Sequence, residues 1–204
     1  IETKLNVGYP IPLLRETRVF TLKPNESKNL FASFSNDMRN GLGEIDIAIS
    51  NSRLLEAEEA LNYNLTYPYG CMEQTTSATL PWLTLGDFTQ VFPSLNKDEA
   101  QRQKALKYGL NRILSMQTYH GGLSYWPGEN QPALWSSAWG GFALATAQQK
   151  GHAMPQDRLD KLWKWLSESL REPGDDDGWS DNHYYRCLGL YTLAIAGKAE
   201  PAYH

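Results

Sequence analysis

The sequence predicts a mixed fold, with antiparallel β-structure over about residues 1–60 and a partial α/α toroid of helical hairpins over residues 61–204. Three observations carry this expectation. Apolar and polar residues alternate with period two up to about residue 55. Beyond about residue 70 the apolar positions recur at helical spacing instead. A glycine-aromatic turn occurs twice between the helical segments, as Gly121-Gly122-Leu123-Ser124-Tyr125-Trp126 and as Asp177-Gly178-Trp179-Ser180.

Taken in order, Ile1-Glu2-Thr3-Lys4-Leu5-Asn6-Val7 opens the chain in strand-like sequence, which leads us to expect a piece of a larger polypeptide. Arg18-Val19-Phe20-Thr21-Leu22 alternates, Lys23-Pro24-Asn25-Glu26 supplies a turn, and Asn29-Leu30-Phe31-Ala32-Ser33-Phe34 alternates again. Glu44-Ile45-Asp46-Ile47-Ala48-Ile49 is the cleanest period-two run and predicts a sheet with one wet face.

In the second half, Asn96 followed by Glu99 fits a capping box, and Leu106, Leu110, Ile113, Leu114 and Gln117 fall on one stripe. Ser136 or Ser137 is the expected cap of a helix bearing Trp139, Phe142, Ala143 and Ala147, which stops at Gly151. Asp157 is the expected cap of the next, with Leu159, Leu162, Trp163, Leu166 and Leu170 before Pro173-Gly174. A last helix runs from about Tyr184 to Ala196 and ends at Gly197.

A net charge of -4 with no Lys/Arg cluster argues against nucleic acid and against a membrane surface. There is no apolar run long enough to span a bilayer and no signal-peptide pattern. Seven Trp and 11 Tyr predict a well-packed core. Two cysteines are too few for a disulfide framework. Cys187, in an apolar helical run, is expected to be a buried small hydrophobe.

Chemistry concentrates at Gly70-Cys71-Met72-Glu73-Gln74-Thr75. Residues three apart are neighbours on a helical turn, and condensation of the Cys71 sulfur with the Gln74 amide would close a thioester ring of about fifteen atoms. Gly70 relieves crowding at the entry, and Tyr67 before Pro68 stays extended. The positive end of a helix favours a thiolate leaving group when an amine attacks the acyl carbon. Water would hydrolyse such a bond, so Tyr67, Tyr69, Met72 and Trp126 are candidate shields, although core packing is the favoured role for any one of them taken singly. Glu73 invites an acid-base role, but an acid favoured in the first helical turn is the simpler reading.

The run Tyr67 to Ser77 resembles the thioester segment of the alpha-2-macroglobulin family, specifically its bacterial branch. Tyr119-His120-Gly121-Gly122-Leu123-Ser124-Tyr125-Trp126-Pro127-Gly128, Trp135 through Ala147, and Leu190 through Lys198 are similar to later toroid elements, so the likeness covers most of residues 61–200. The resemblance implies that residues 1–60 belong to an antiparallel β-sandwich into which the toroid is inserted. It also implies a single-use covalent endopeptidase inhibitor rather than an enzyme. A protease cuts a bait region absent here, the thioester is exposed, and a lysine amine of the protease becomes bonded to Gln74 while Cys71 is released. The partners implied are target proteases and other domains of the same polypeptide, with no cofactor or metal and no nucleic acid. The resemblance further implies a periplasmic lipoprotein, held at the inner membrane only through a distant N-terminus.

Some complement relatives use a histidine to redirect the acyl group. His120, His152, His183 and His204 do not sit in that pattern, so direct amine attack is expected. Asp175-Asp176-Asp177 lacks the alternating ligands of a calcium loop. Asn25-Glu26-Ser27 and Asn64-Leu65-Thr66 match the glycosylation pattern, which is common by chance. Two rival readings remain: a cysteine hydrolase with Cys71 as nucleophile and a distant histidine, and an inert structural toroid.

Overall fold

A computed structural model of the chain describes residues 16–33, 45, 47–51, 53–67, 69–171 and 182–203. The chain divides into two units, Ile1–Ile47 and Ala48–His204.

The first unit does not contain the expected sheet, and the antiparallel β-sandwich is overturned. Among the described residues there is no strand. Arg18 to Leu22 runs as irregular chain, Pro24-Asn25 forms a turn with Asn25 at φ 64°, and Leu30–Ser33 is a single 3-10 turn. The physical reason is non-local. An alternating segment becomes a strand only when a neighbour pairs its N–H and C=O groups and buries its apolar face. No described segment does so, and Val19, Leu22, Ile45, Ile47 and Ile49 stay exposed, Ile49 at 93%. Ile1 to Val7, Phe34, Glu44 and Asp46 lie outside the described residues.

The second unit is helical. Its six α-helices among the described residues are α1 Glu58–Thr66, α2 Met72–Thr84, α3 Glu99–Ser115, α4 Leu134–Gln149, α5 Gln156–Arg171 and α6 Asn182–Ile195. Helix α4 packs against both α2 and α6, while α3 lies on α2 and α5 lies on α4 and α6. This is the hairpin arrangement of an α/α toroid. One continuous core runs through Met72, Ile113, Leu123, Leu144, Leu159, Leu162, Leu166 and Leu193. A smaller cluster of Leu61, Phe92 and Leu95 seats α1, helped by Glu58, whose Oε1 accepts from the Ser94 amide at 2.8 Å.

Close helix approach depends on Gly140 in α4. A Cβ there would lie 2.6 Å from Met72 Sδ and 2.8 Å from Leu123 Cδ1. Helix α4 also meets α6 through Thr192 Oγ1, which donates to the Ala138 carbonyl at 3.0 Å.

The apolar stripes are placed as expected: Leu106, Leu110, Ile113 and Leu114 in α3 are buried, as are Leu159, Leu162, Trp163, Leu166 and Leu170 in α5. Several caps differ. Asp98, not Asn96, caps α3, its carboxylate accepting from the Gln101 amide at 2.8 Å. The acid immediately precedes the helix, so it reaches the free amides of the first turn. Asp98→Ala is expected to cost about 1 kcal/mol, seen as a lower denaturant midpoint at unchanged slope.

Helix α4 begins at Leu134 after Ala133, so neither Ser136 nor Ser137 is its cap. Ser137 is buried, and its hydroxyl instead accepts from the Leu123 amide at 2.8 Å. Asp157 sits inside the first turn of α5, which starts at Gln156. The last helix stops with Gly197 at φ 71°, while Pro173-Gly174 lies outside the described residues. Cys187 is exposed, not buried: it faces outward from α6 beside His183 and Arg186.

Candidate functional site

The turn from Met116 to Tyr125 prepares one wall of the site. Thr118 and Gly122 pair at 2.9 Å, and the Ser124 amide donates to the Met116 carbonyl at 2.9 Å. Gly121 holds φ 100°, a conformation that side-chain-bearing residues rarely adopt, and a Cβ there would meet the Lys161 carbonyl oxygen at 2.7 Å. Gln117 fixes the turn to α5 by donating to both the Gly121 and Arg158 carbonyls, at 2.7 and 2.8 Å. So anchored, the Tyr125 carbonyl accepts from the Met72 amide at 2.9 Å.

Helix α2 begins at this contact. Cys71 is its N-cap, extended at φ -70°, ψ 172°, and the Thr75 amide closes the first helical bond to the Cys71 carbonyl at 2.9 Å. Cys71 and Gln74 form a reciprocal capping box. The Cys71 sulfur accepts from the Gln74 amide, and Gln74 Oε1 accepts from the Cys71 amide at 3.4 Å. A serine or threonine normally fills the first position of this motif. Here the same local geometry brings a thiol and a carboxamide together at the free end of a helix. Both residues are half-buried.

Met72 is fully buried, and Thr76 Oγ1 lies 3.5 Å from its sulfur. Glu73 points to solvent in the first turn of α2. Gly70 is half-buried under the Arg112 guanidinium.

The named shielding residues divide. Tyr67 is half-buried at the end of α1, with ring contacts to Tyr63 at 5.1 Å and Tyr69 at 5.6 Å. A hydrogen bond with the Tyr63 hydroxyl raises the Tyr67 pKa above the ordinary phenol value, and the nearby Cys71 adds a smaller push in the same direction. Tyr69 is 64% exposed and Trp126 is 45% exposed. The Trp126 amide, with that of Tyr125, donates to Glu129 at 3.1 Å.

Two residues of the site were missed by sequence reasoning. Tyr125, next to Trp126, has its hydroxyl pKa raised first by burial, then by Tyr185, Glu73 and Cys71. Tyr125 is itself 39% exposed; its place in the glycine-aromatic turn was the available signal, but an irregular turn has no period to say which ring comes near Cys71. Arg112, in the last turn of α3, donates to the Gly70 carbonyl from Nη2 at 3.1 Å and from Nε at 3.4 Å. A contact across 42 residues leaves no mark in local spacing.

None of the described histidines is hydrogen-bonded to Cys71 or Gln74. His120 lies against Tyr119 at 3.8 Å, His152 lines a groove with Arg102 and Lys150, and His183 sits beside Cys187. His204 and Asp175 to Asp177 lie outside the described residues.

Fold and site together define a class: α/α-hairpin domains that present a Cys-x-x-Gln pair at the start of a helix. The family model described as the A-macroglobulin TED domain matches residues 45–183, and the chain belongs to that family. Among curated relatives, an alpha-2-macroglobulin of Xylella fastidiosa strain Temecula1 is 37% identical over 141 residues, 65% of this chain. The chain spans 7% and 8% of the length of the curated relatives it matches from Escherichia coli and Xylella.

Among solved structures, native Escherichia coli alpha-2-macroglobulin, spanning domain MG7 to the C-terminus, superposes with a TM-score of 0.63 at 25% identity. That match covers 71% of this chain and 24% of that one. Salmonella alpha-2-macroglobulin reacted with methylamine gives a TM-score of 0.61 at 28% identity, covering 71% of this chain and 10% of that one.

Proposed function

We propose that Cys71 and Gln74 form an internal thioester and that this segment is the acylating part of a bacterial protease-trapping inhibitor. The observation that carries the reading is the reciprocal capping box, which sets each side chain on the other residue's backbone amide at the same helix end before any bond forms. In the condensation Cys71 Sγ attacks Gln74 Cδ, the C–N bond breaks and ammonia leaves with the thiol proton. In the trapping step a lysine amine of the protease attacks the same carbon, the C–S bond breaks, and the amine proton passes to the departing sulfur.

Each molecule reacts once. The methylamine reaction of the Salmonella relative supports amines as acceptors by analogy. The absence of any hydrogen bond between Cys71 and a described histidine weighs against the hydrolase reading, in which an adjacent base would activate the thiol. Exposure of the bond after bait cleavage, shielding by Tyr67, and a periplasmic, lipid-anchored full-length protein belong to the same proposal and rest on the family resemblance.

Intact mass tests the central claim. Fresh full-length protein is expected to weigh roughly 17 Da less than its sequence, the mass of the lost ammonia. Methylamine should then add its own mass and release one thiol. A mass equal to the plain sequence, unchanged by methylamine, would remove the thioester.

A further inference from the structure

We infer that Arg112 is a positioning residue that polarises the acyl oxygen of Gln74 through the Gly70–Cys71 peptide. The inference rests on the thioester reading above and adds to it a residue on another helix. The Gly70 carbonyl and the Cys71 N–H belong to one planar peptide unit. Arg112 donates to the oxygen of this peptide through Nη2 and Nε, and the Cys71 N–H of the same peptide donates to Gln74 Oε1. The three groups form a chain: guanidinium, peptide, acyl carbonyl.

Several features make the chain directional. The Arg112 side chain is half-buried, and among the described residues no carboxylate forms an ion pair with it. Among the described residues its guanidinium bonds to the Gly70 carbonyl. Withdrawal of electron density from that oxygen makes the N–H of the same peptide a stronger donor, since linked hydrogen bonds polarise one another. On the far side of Cys71 the Met72 amide is tied to the Tyr125 carbonyl at 2.9 Å, so the peptide cannot easily swing away.

When an amine attacks Gln74 Cδ, the carbonyl electron pair moves to Oε1 and negative charge collects there. The Cys71 N–H, which lies 3.4 Å from Oε1 in the uncondensed pair, then serves as an oxyanion donor that tightens as the charge develops. Collapse of the adduct breaks the C–S bond, leaves the pair on Sγ, and restores the carbonyl. Formation of the thioester passes through the same oxyanion, so Arg112 favours the bond's closing and its aminolysis alike.

The test uses the full-length protein and Arg112→Gln, with kinetics read only on the fraction that carries the mass deficit. Loss of one complete oxyanion donor costs about 10²–10³ in rate, and weakening a donor through a relay is expected to cost about tenfold in the second-order rate of methylamine aminolysis. Arg112→Lys, which keeps the charge, should recover part of that loss. With a ¹³C label at the Gln74 acyl carbon, the carbonyl stretch should move to higher wavenumber in Arg112→Gln as its hydrogen bond weakens.

The sign separates this role from a merely structural one. A latch that only holds the site closed predicts faster aminolysis when removed, because the bond becomes more accessible. An Arg112→Gln protein that carries the deficit, reacts at or above the wild-type rate and shows an unmoved carbonyl band would overturn the inference while leaving the thioester intact. Wild-type protein with no deficit would overturn both.

Discussion

Cys71→Ala is expected to abolish methylamine incorporation and to bring the intact mass up to that of the plain sequence. Alanine retains the helix but offers no sulfur, so no acyl carbon is activated. Gln74→Glu should give the same loss for a different reason: a carboxylate is a poor electrophile and has no ammonia to release. Glu73→Gln provides the contrast. Glu73 is exposed and makes no hydrogen bond to Cys71 or Gln74, so its neutralisation should leave the mass deficit and the methylamine reaction in place. Mass spectrometry of the peptide spanning residues 71–74, with and without methylamine, separates Glu73→Gln from the other two variants. If Gln74→Glu stayed reactive toward amines, the assignment of Gln74 as the acyl centre would be wrong.

Met72→Ala is expected to cost about 2–5 kcal/mol of stability, the range for emptying a fully buried large side chain. Met72 is 0% exposed and fills the space between α2, α4 and the Leu123 turn. It also stands next to Cys71, so the loss should reach the chemistry. With the side chain gone, the first turn of α2 loses its seat and water gains a path to the bond. The variant should unfold at lower denaturant and, where the thioester forms, lose its mass deficit faster on standing. Gly140→Val approaches the same point from the other side: a Cβ there meets Met72 Sδ at 2.6 Å, and overpacking of this kind costs about 1–3 kcal/mol. Unfolding midpoints near wild type for both variants would show that the Met72 seat is dispensable.

The sequence and the structure agree where the governing interactions are local. The α5 stripe is legible because five buried residues recur at the helical period on one face. The Cys71–Gln74 pairing is legible for the same reason, because residues three apart meet on any helical turn. Caps are less legible, since Asn96, Asp98, Ser136 and Ser137 are all chemically competent and only chain geometry selects among them. Ser137 shows the difficulty well. Its hydroxyl serves Leu123, 14 residues away, rather than the start of its own helix.

By itself, then, the sequence determined the helical hairpins, the position of the Cys71–Gln74 pair and the family likeness, all of which follow from spacings within a few turns of chain. Tertiary structure decided the rest. It left Val19, Leu22, Ile45, Ile47 and Ile49 exposed and irregular among the described residues, because a strand needs a partner that alternation cannot supply. It placed Arg112 on the Gly70 carbonyl. Each of these outcomes depends on groups distant in sequence, and their free energy is set by burial and hydrogen-bond geometry that only the folded chain creates.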